Sequence, residues 1–121
     1  MGEIKRILCV DDDQDILDTL NIILASEGYS VQVAISPAAI FQLIQEFDPN
    51  LILLDINMPN FNGLEVCKAV KGYLSTENTP IIIISSDERI ITAIDDFGAN
   101  DILMKPFQID LLLEKIKFYL Q

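Results

Sequence analysis

The sequence predicts an α/β domain in which helices cover both faces of one parallel sheet. Two observations carry this. Short, wholly apolar runs at residues 7–10, 51–54 and 81–84 read as strands buried on both faces. They alternate from end to end with stretches whose apolar residues recur at helical spacing, five strand–helix repeats in all. The chain of 121 residues is one domain, half of it apolar and so able to form a core without staples. A closed eightfold barrel needs roughly 200 residues or more and is out of reach.

Residues 4–10 read as the first strand. After Asp13 comes a helix carrying Ile16, Leu17, Leu20, Ile23 and Leu24, with Gly28 as its stop. Val31, Val33 and Ile35 alternate with polar or small residues as a second strand. Ser36 and Pro37 open the next helix, serine as cap and proline in first position. Its apolar face runs Ile40, Leu43, Ile44, Phe47, and Asp48 with Pro49 ends it. The third strand, 51–54, leads through a loop with Pro59 and Gly63 to a helix whose Val66, Cys67 and Val70 face the core. Residues 81–84 are apolar throughout and therefore central. Ser85, Ser86 and Asp87 offer caps for a helix carrying Ile90, Ile91, Ile94 and Phe97, stopped by Gly98. A short fifth strand, 102–104, and a helix over 108–119 close the chain.

Composition excludes several classes. No apolar stretch reaches the ~18 residues of a membrane span, and the opening residues hold too short an apolar segment for a secretory leader. A net charge of −11 argues against direct contact with nucleic acid or anionic lipid and favours basic partners or bound cations. Histidine is absent, which removes every mechanism needing imidazole from this chain. Cys9 and Cys67 read as core filler in a reduced, cytoplasmic protein.

Asp11 and Asp12 follow the first strand and Asp55 the third. Ligands of open α/β sheets bind beyond the carboxyl ends of the strands, so adjacent strands would bring three carboxylates into one crevice. At about 4 Å a like-charged pair repels by roughly 1 kcal/mol in water and about 4 kcal/mol at an effective dielectric near 20. Such a cluster must take up a proton, shift its pKa values or hold a cation. Singly, each residue has a plainer role: Asp12, Asp13 or Asp55 as a cap or turn former, Ser85 as a cap, Lys105 as a solvated lysine. Position changes the balance, because Asp11, Asp12, Asp55, Ser85 and Lys105 all stand at strand ends on the ligand-binding edge. A calcium loop beginning at Asp11, Asp13 and Asp15 fails, since its sixth and twelfth positions are Ile16 and Ile22. Magnesium, which takes one or two carboxylates and keeps waters for exchange with phosphate oxygens, suits better.

These residues together resemble a known family. Asp-x-x-Met-Pro-x-x-x-Gly runs from Asp55 to Gly63, an acidic pair follows the first strand, and Lys105, Pro106 and Phe107 follow the fifth. With Ser85 after the fourth strand, the whole chain, 1–121, resembles the receiver domain of two-component response regulators. The resemblance implies a three-layer, flavodoxin-like fold with a five-stranded parallel sheet in the order 2-1-3-4-5. It implies that Asp55 accepts a phosphoryl group from a partner kinase's phosphohistidine. Asp12, Asp55 and the backbone carbonyl of Asn57 would hold Mg²⁺, with Asp11 acting through water. Ser85 would hydrogen-bond the phosphoryl oxygens, Lys105 would pair with them, and the Lys105–Pro106 bond would be cis. Phosphoryl transfer is mostly positioning and charge neutralisation, which a divalent cation and a lysine supply. The mixed anhydride formed is labile enough to reset. The missing histidine then belongs to the donor.

Relatives often carry an aromatic residue where Ile102 stands, so the switch here would run through Ser85 and the fourth helix packing on Ile102. The resemblance also places Asn57 and Asp87 beside the phosphate, where Asp87 would tune acyl-phosphate lifetime; a helix cap is the equal alternative. Ile90, Ile91, Phe107 and Tyr119 are candidates for an output surface, with core packing expected for most. Haloacid-dehalogenase-type phosphatases need a second acid where Asn57 stands, and Asp11, Asp12 and Asp13 would repel the phosphate of a flavodoxin's FMN. A module that only binds partners has no need of the complete set. The chain closes within its last helix, which leaves open a stand-alone regulator or a piece of a longer protein with a linked output domain; either would act through an effector protein.

Overall fold

The computed structural model describes residues 2–121. In chain order the elements are β1 (Arg6–Val10), α1 (Gln14–Ser26), β2 (Ser30–Ala34), α2 (Ile40–Phe47), β3 (Leu51–Leu54), β4 (Asn57–Met58), β5 (Phe61–Asn62), α3 (Gly63–Lys71), β6 (Ile81–Ser85), α4 (Ala93–Phe97), β7 (Asp101–Met104) and α5 (Ile109–Tyr119). A 3-10 turn, Glu88–Thr92, precedes α4. Five strands form one parallel sheet in the order β2-β1-β3-β6-β7, which is 2-1-3-4-5 once the two short strands are set aside.

Side chains alternate across the pleat, so each buried strand feeds two cores. Leu8, Val10, Ile52, Leu54, Ile81 and Ile83 pack with residues of α2, α3 and α4. Ile7, Cys9, Leu51, Leu53, Ile82 and Ile84 pack on the other face with Leu17, Leu20 and Leu24 of α1 and Leu112 and Ile116 of α5. This explains why β3, and β6 as far as Ile84, are apolar at every position: neither face meets water. Both cysteines are free and buried, filling these cores as expected.

Several boundaries differ from the sequence expectation. β1 begins at Arg6, not residue 4. Ile35 lies beyond β2 and is exposed. The second helix starts at Ile40 because the Ser36 hydroxyl accepts the Ala38 N–H at 3.0 Å, closing a local turn instead of capping a helix. The loop after Asp55 carries a small antiparallel ladder of β4 with β5, a second sheet that the periodicity did not show. The predicted fourth helix is split into the 3-10 turn and a five-residue α4; Ile90 is buried, whereas Ile91 is 70% and Ile94 42% exposed. Gly28 and Gly98 take positive φ just past their helices, and Asp48 caps α2 in the left-handed region.

At the end of the sheet away from the strand carboxyl termini, α2 and the 72–80 loop meet through Phe41 and Tyr73, with ring centroids 4.9 Å apart. The buried Thr76 hydroxyl donates to the Val70 carbonyl and anchors this loop, while Leu74 stands 87% exposed at its tip.

Candidate functional site

Strand register places the acids. Val10 and Leu54 are partners across β1 and β3, so Asp11 and Asp55 emerge side by side. Both backbones stay in the ladder one residue further: Asp11 N–H donates to the Ala34 carbonyl at 3.1 Å and Asp55 N–H to the Val10 carbonyl at 2.9 Å. On the other side Ser85 pairs with Met104, and Lys105 N–H donates to the Ser85 carbonyl at 3.0 Å. The Lys105–Pro106 bond is cis.

A shared local device then orients the side chains. The Oδ1 atoms of Asp11 and Asp55 accept N–H bonds from Asp13 and Asn57, both at 3.0 Å, and the Ser85 Oγ accepts from Asp87 N–H at 3.1 Å. Each is an i to i+2 turn that pins one side-chain oxygen. In both aspartates this leaves Oδ2 for the cleft. Lys105 Nζ sits between them, 2.9 Å from Asp11 Oδ2 and 3.5 Å from Asp55 Oδ2. Exposed Asp12 completes the group, one carboxylate oxygen from each of the three acids lying within 4.8 Å of the others.

The charges are not at ease. Burial pushes the Asp11 carboxyl above its ordinary value, the Lys105 and Asp13 bonds pull it back, and neighbouring Asp55 pushes it up again. Burial alone would lower the Lys105 ammonium, but the Asp11 bond and the two negative charges outweigh it and the net direction is up. A buried acidic pair holding one lysine has negative charge to spare. Its hard oxygen donors fit Mg²⁺.

Gly63 closes the back of the site. A Cβ there would lie 2.3 Å from Ile56 Cα and 2.7 Å from the Asp55 carbonyl oxygen, so only glycine lets α3 start against the segment following Asp55. Its N–H donates to the Ile56 carbonyl at 3.2 Å.

Residues 7–117 match the family model described as response regulator receiver domain. The chain belongs to this family. Among curated relatives, the response regulator MprA of Mycobacterium tuberculosis is 33% identical over 118 residues, covering 96% of this chain and 50% of its own length. The chain thus spans about half the length of the curated relatives it matches. Among solved structures, a CheY-like receiver domain protein of Methanospirillum hungatei superposes with a TM-score of 0.89 at 33% identity, covering 98% of this chain and 94% of that one. TrrA of Thermotoga maritima, solved with Mg²⁺ and BeF, gives 0.85 at 29% identity over 96% of this chain and 99% of its own. The chain is thus a receiver domain of the kind found in two-component response regulators.

In this receiver domain the structure brings Asp11, Asp12, Asp55 and Lys105 together. Ser85 is buried at the end of β6, hydrogen-bonded along the backbone to Lys105. Asn57 is exposed, with its N–H on Asp55. Ile102 packs, partly buried, against the core face that holds Ile90. Ile91 is exposed as an output surface requires, whereas Ile90 is buried and Phe107 and Tyr119 are partly buried against the α1 and α5 core. Asp13, not Asp12, caps α1, its Oδ1 accepting from Asp15 and Ile16 N–H. Asp87 caps the 3-10 turn through Arg89 N–H, and its Oδ2 takes the Arg89 guanidinium at 2.7 and 3.0 Å. Sequence reasoning missed Arg89; an arginine two residues after a turn acid was the available signal.

Proposed function

We propose that this receiver domain accepts a phosphoryl group on Asp55 from the phosphohistidine of a sensor kinase or phosphotransfer protein. The observation that carries the reading is the Asp11–Lys105–Asp55 arrangement, with Asp12 alongside, on the carboxyl edge of a parallel sheet. In the step, Asp55 Oδ2 adds its electron pair to phosphorus as the phosphorus–nitrogen bond breaks and that pair returns to the donor's imidazole. Asp55 needs no base, being a carboxylate. Its orientation is set by the Asn57 N–H on Oδ1. Lys105 would follow the new charge, trading Asp11 for the phosphoryl oxygens, and the Ser85 hydroxyl would donate to them.

Asp11, Asp12, Asp55 and Asn57 are the residues that would hold Mg²⁺, which when bound neutralises charge on the transferring group. The domain would catalyse its own phosphorylation and dephosphorylation, and the phosphorylated form would change the surface around α4, β7 and α5 for an effector protein or a linked output domain. A cytoplasmic setting goes with kinase partners and buried reduced thiols; among the described residues no helix is long and apolar enough to cross a membrane.

Incubation with Mg²⁺ and a small acyl phosphate tests the reading. Stoichiometric label on the wild type and none on Asp55→Asn is the expected result. Sustained phosphate release without label, or equal labelling of the variant, would overturn it.

A further inference from the structure

A cavity of about 460 Å³ lies between the C-terminal end of α2 and the 72–80 loop, at the end of the sheet away from the acidic cleft. Its apolar wall is formed by Phe41, Ile44, Pro49 and Tyr73. The two rings meet at a tilt of 53°, and the Thr76 hydroxyl on the Val70 carbonyl holds the loop in place. A volume of this size is typical of small-molecule sites, which run from about 300 to 1,000 Å³. The polar side of the cavity is negative. A helix end carries roughly half a negative charge on the carbonyls that its own turns leave unpaired. At the end of α2, Pro49 has no N–H to offer, and the Asp48 and Asn50 N–H groups go to the Ile44 and Arg6 carbonyls. The Gln45 and Glu46 carbonyls are thereby left open. No basic residue stands in the last turn of α2, and none lines the cavity. Asp48, also in the lining, adds a carboxylate side chain that is 88% exposed. The nearby cations are already engaged. Arg6 is divided among the Asp48 carbonyl at 2.7 Å, Asp48 Oδ2 at 3.4 Å and Glu3 at 3.3 Å. Lys71 holds the Thr79 carbonyl and Asn100 Oδ1, both at 3.0 Å.

We infer that this cavity is a binding site for a small primary ammonium ion that carries an aromatic or alkyl body. The body fills the space against Phe41, Ile44 and Tyr73. The ammonium group, all donors and no acceptor, answers the open carbonyls of α2 and the field of Asp48. Ring faces are negative too, so the aromatic pair favours a cation over a neutral body of the same shape. An anion would meet the helix end, Asp48 and a chain of net charge −11. The site shares no residue with the acidic cleft and stands whether or not Asp55 accepts a phosphoryl group.

Probes of one shape and different charge test it: phenethylammonium, its neutral alcohol phenylethanol, and anionic phenylacetate. Each is titrated into the isotope-labelled chain with Mg²⁺ present, and amide NMR shifts are followed. Phenethylammonium is expected to shift Phe41, Tyr73 and Thr76 with a Kd on the order of 1 mM, as suits so small a ligand. It binds about tenfold tighter than the alcohol, and the carboxylate does not bind. Tyr73→Ala removes one ring from the half-exposed wall and weakens the ammonium roughly fivefold. Gln45→Arg places a cation at the end of α2, where it supports the helix, and weakens the ammonium about tenfold without lowering the melting temperature. The inference is overturned by the alcohol binding as tightly as the ammonium, by unchanged affinity in Gln45→Arg, or by shifts absent or confined to the Asp11–Lys105 cleft. Tighter binding of N-acetylarginine amide than of phenethylammonium overturns it as well, giving the cavity to a basic side chain of a partner protein.

Discussion

With its carboxylate buried beside that of Asp55, Asp11 holds a proton more readily in the folded chain than in the unfolded one. The folded protein therefore gains stability as pH falls through the raised value toward the ordinary carboxylate range, and ionised Asp11 weakens the fold at neutral pH. In EDTA, Asp11→Asn is expected to raise stability at pH 7 by about 1 kcal/mol and to flatten the dependence of the melting temperature on pH above the ordinary carboxylate range. A lower melting temperature for the variant contradicts this. Lys105 has the opposite sign: its contribution is full below the ordinary lysine pKa of about 10.4 and is lost as pH rises through the higher folded value. Lys105 also occupies the cleft in which Mg²⁺ would bind. Lys105→Met should tighten Mg²⁺ about tenfold in a titration, the effect of removing one charge at contact distance in a partly screened site; unchanged affinity would show that lysine and metal do not compete. Elsewhere, burial pushes the Cys9 thiol up to about 12 and the Cys67 thiol to about 11. Neither should be alkylated by iodoacetamide at pH 8 until urea unfolds the chain.

Among the elements, α3 is the one whose position is dictated by a single missing side chain. Gly63→Ala forces either the helix or the Asp55–Ile56 backbone to move, at an expected cost of roughly 2 kcal/mol or more. Urea melts read that cost, and Mg²⁺ affinity should fall with it. A variant of full stability and affinity would show that the close approach is dispensable. The element pattern was legible wherever one physical cause dominated. Apolar runs flanked by turn residues marked β1, β3 and β6, and Gly98 marked the end of α4. The start of α2 was not legible, because serine followed by proline suits both a helix start and the short turn that the Ser36 hydroxyl closes here. Nor did alternation reveal that Ile35 falls outside β2, since edge strands end where pairing ends. The split of the fourth helix is a tertiary effect: five residues take the tighter 3-10 turn that keeps Ile90 in the core and Ile91 in solvent.

For the whole molecule, the two cores on either side of one sheet make its middle strands the costliest to damage. Ile82, fully buried between β3 and β7, should lose about 2–5 kcal/mol on Ile82→Ala. The candidate site was readable at this scale because its residues, from Asp11 to Lys105, each sit where a strand stops, and parallel topology puts all such ends on one edge. What could not be read was pairing within a turn, as between Asp87 and Arg89, which depends on local backbone shape more than on order along the chain. Leu74 lies at the opposite end of the sheet, in open solvent on an anchored loop. With both native thiols sealed inside, Leu74→Cys would give the chain one chemically addressable sulfur. A fluorophore attached there could report binding or tumbling from a point remote from the acidic cleft, without first stripping the protein of its own cysteines.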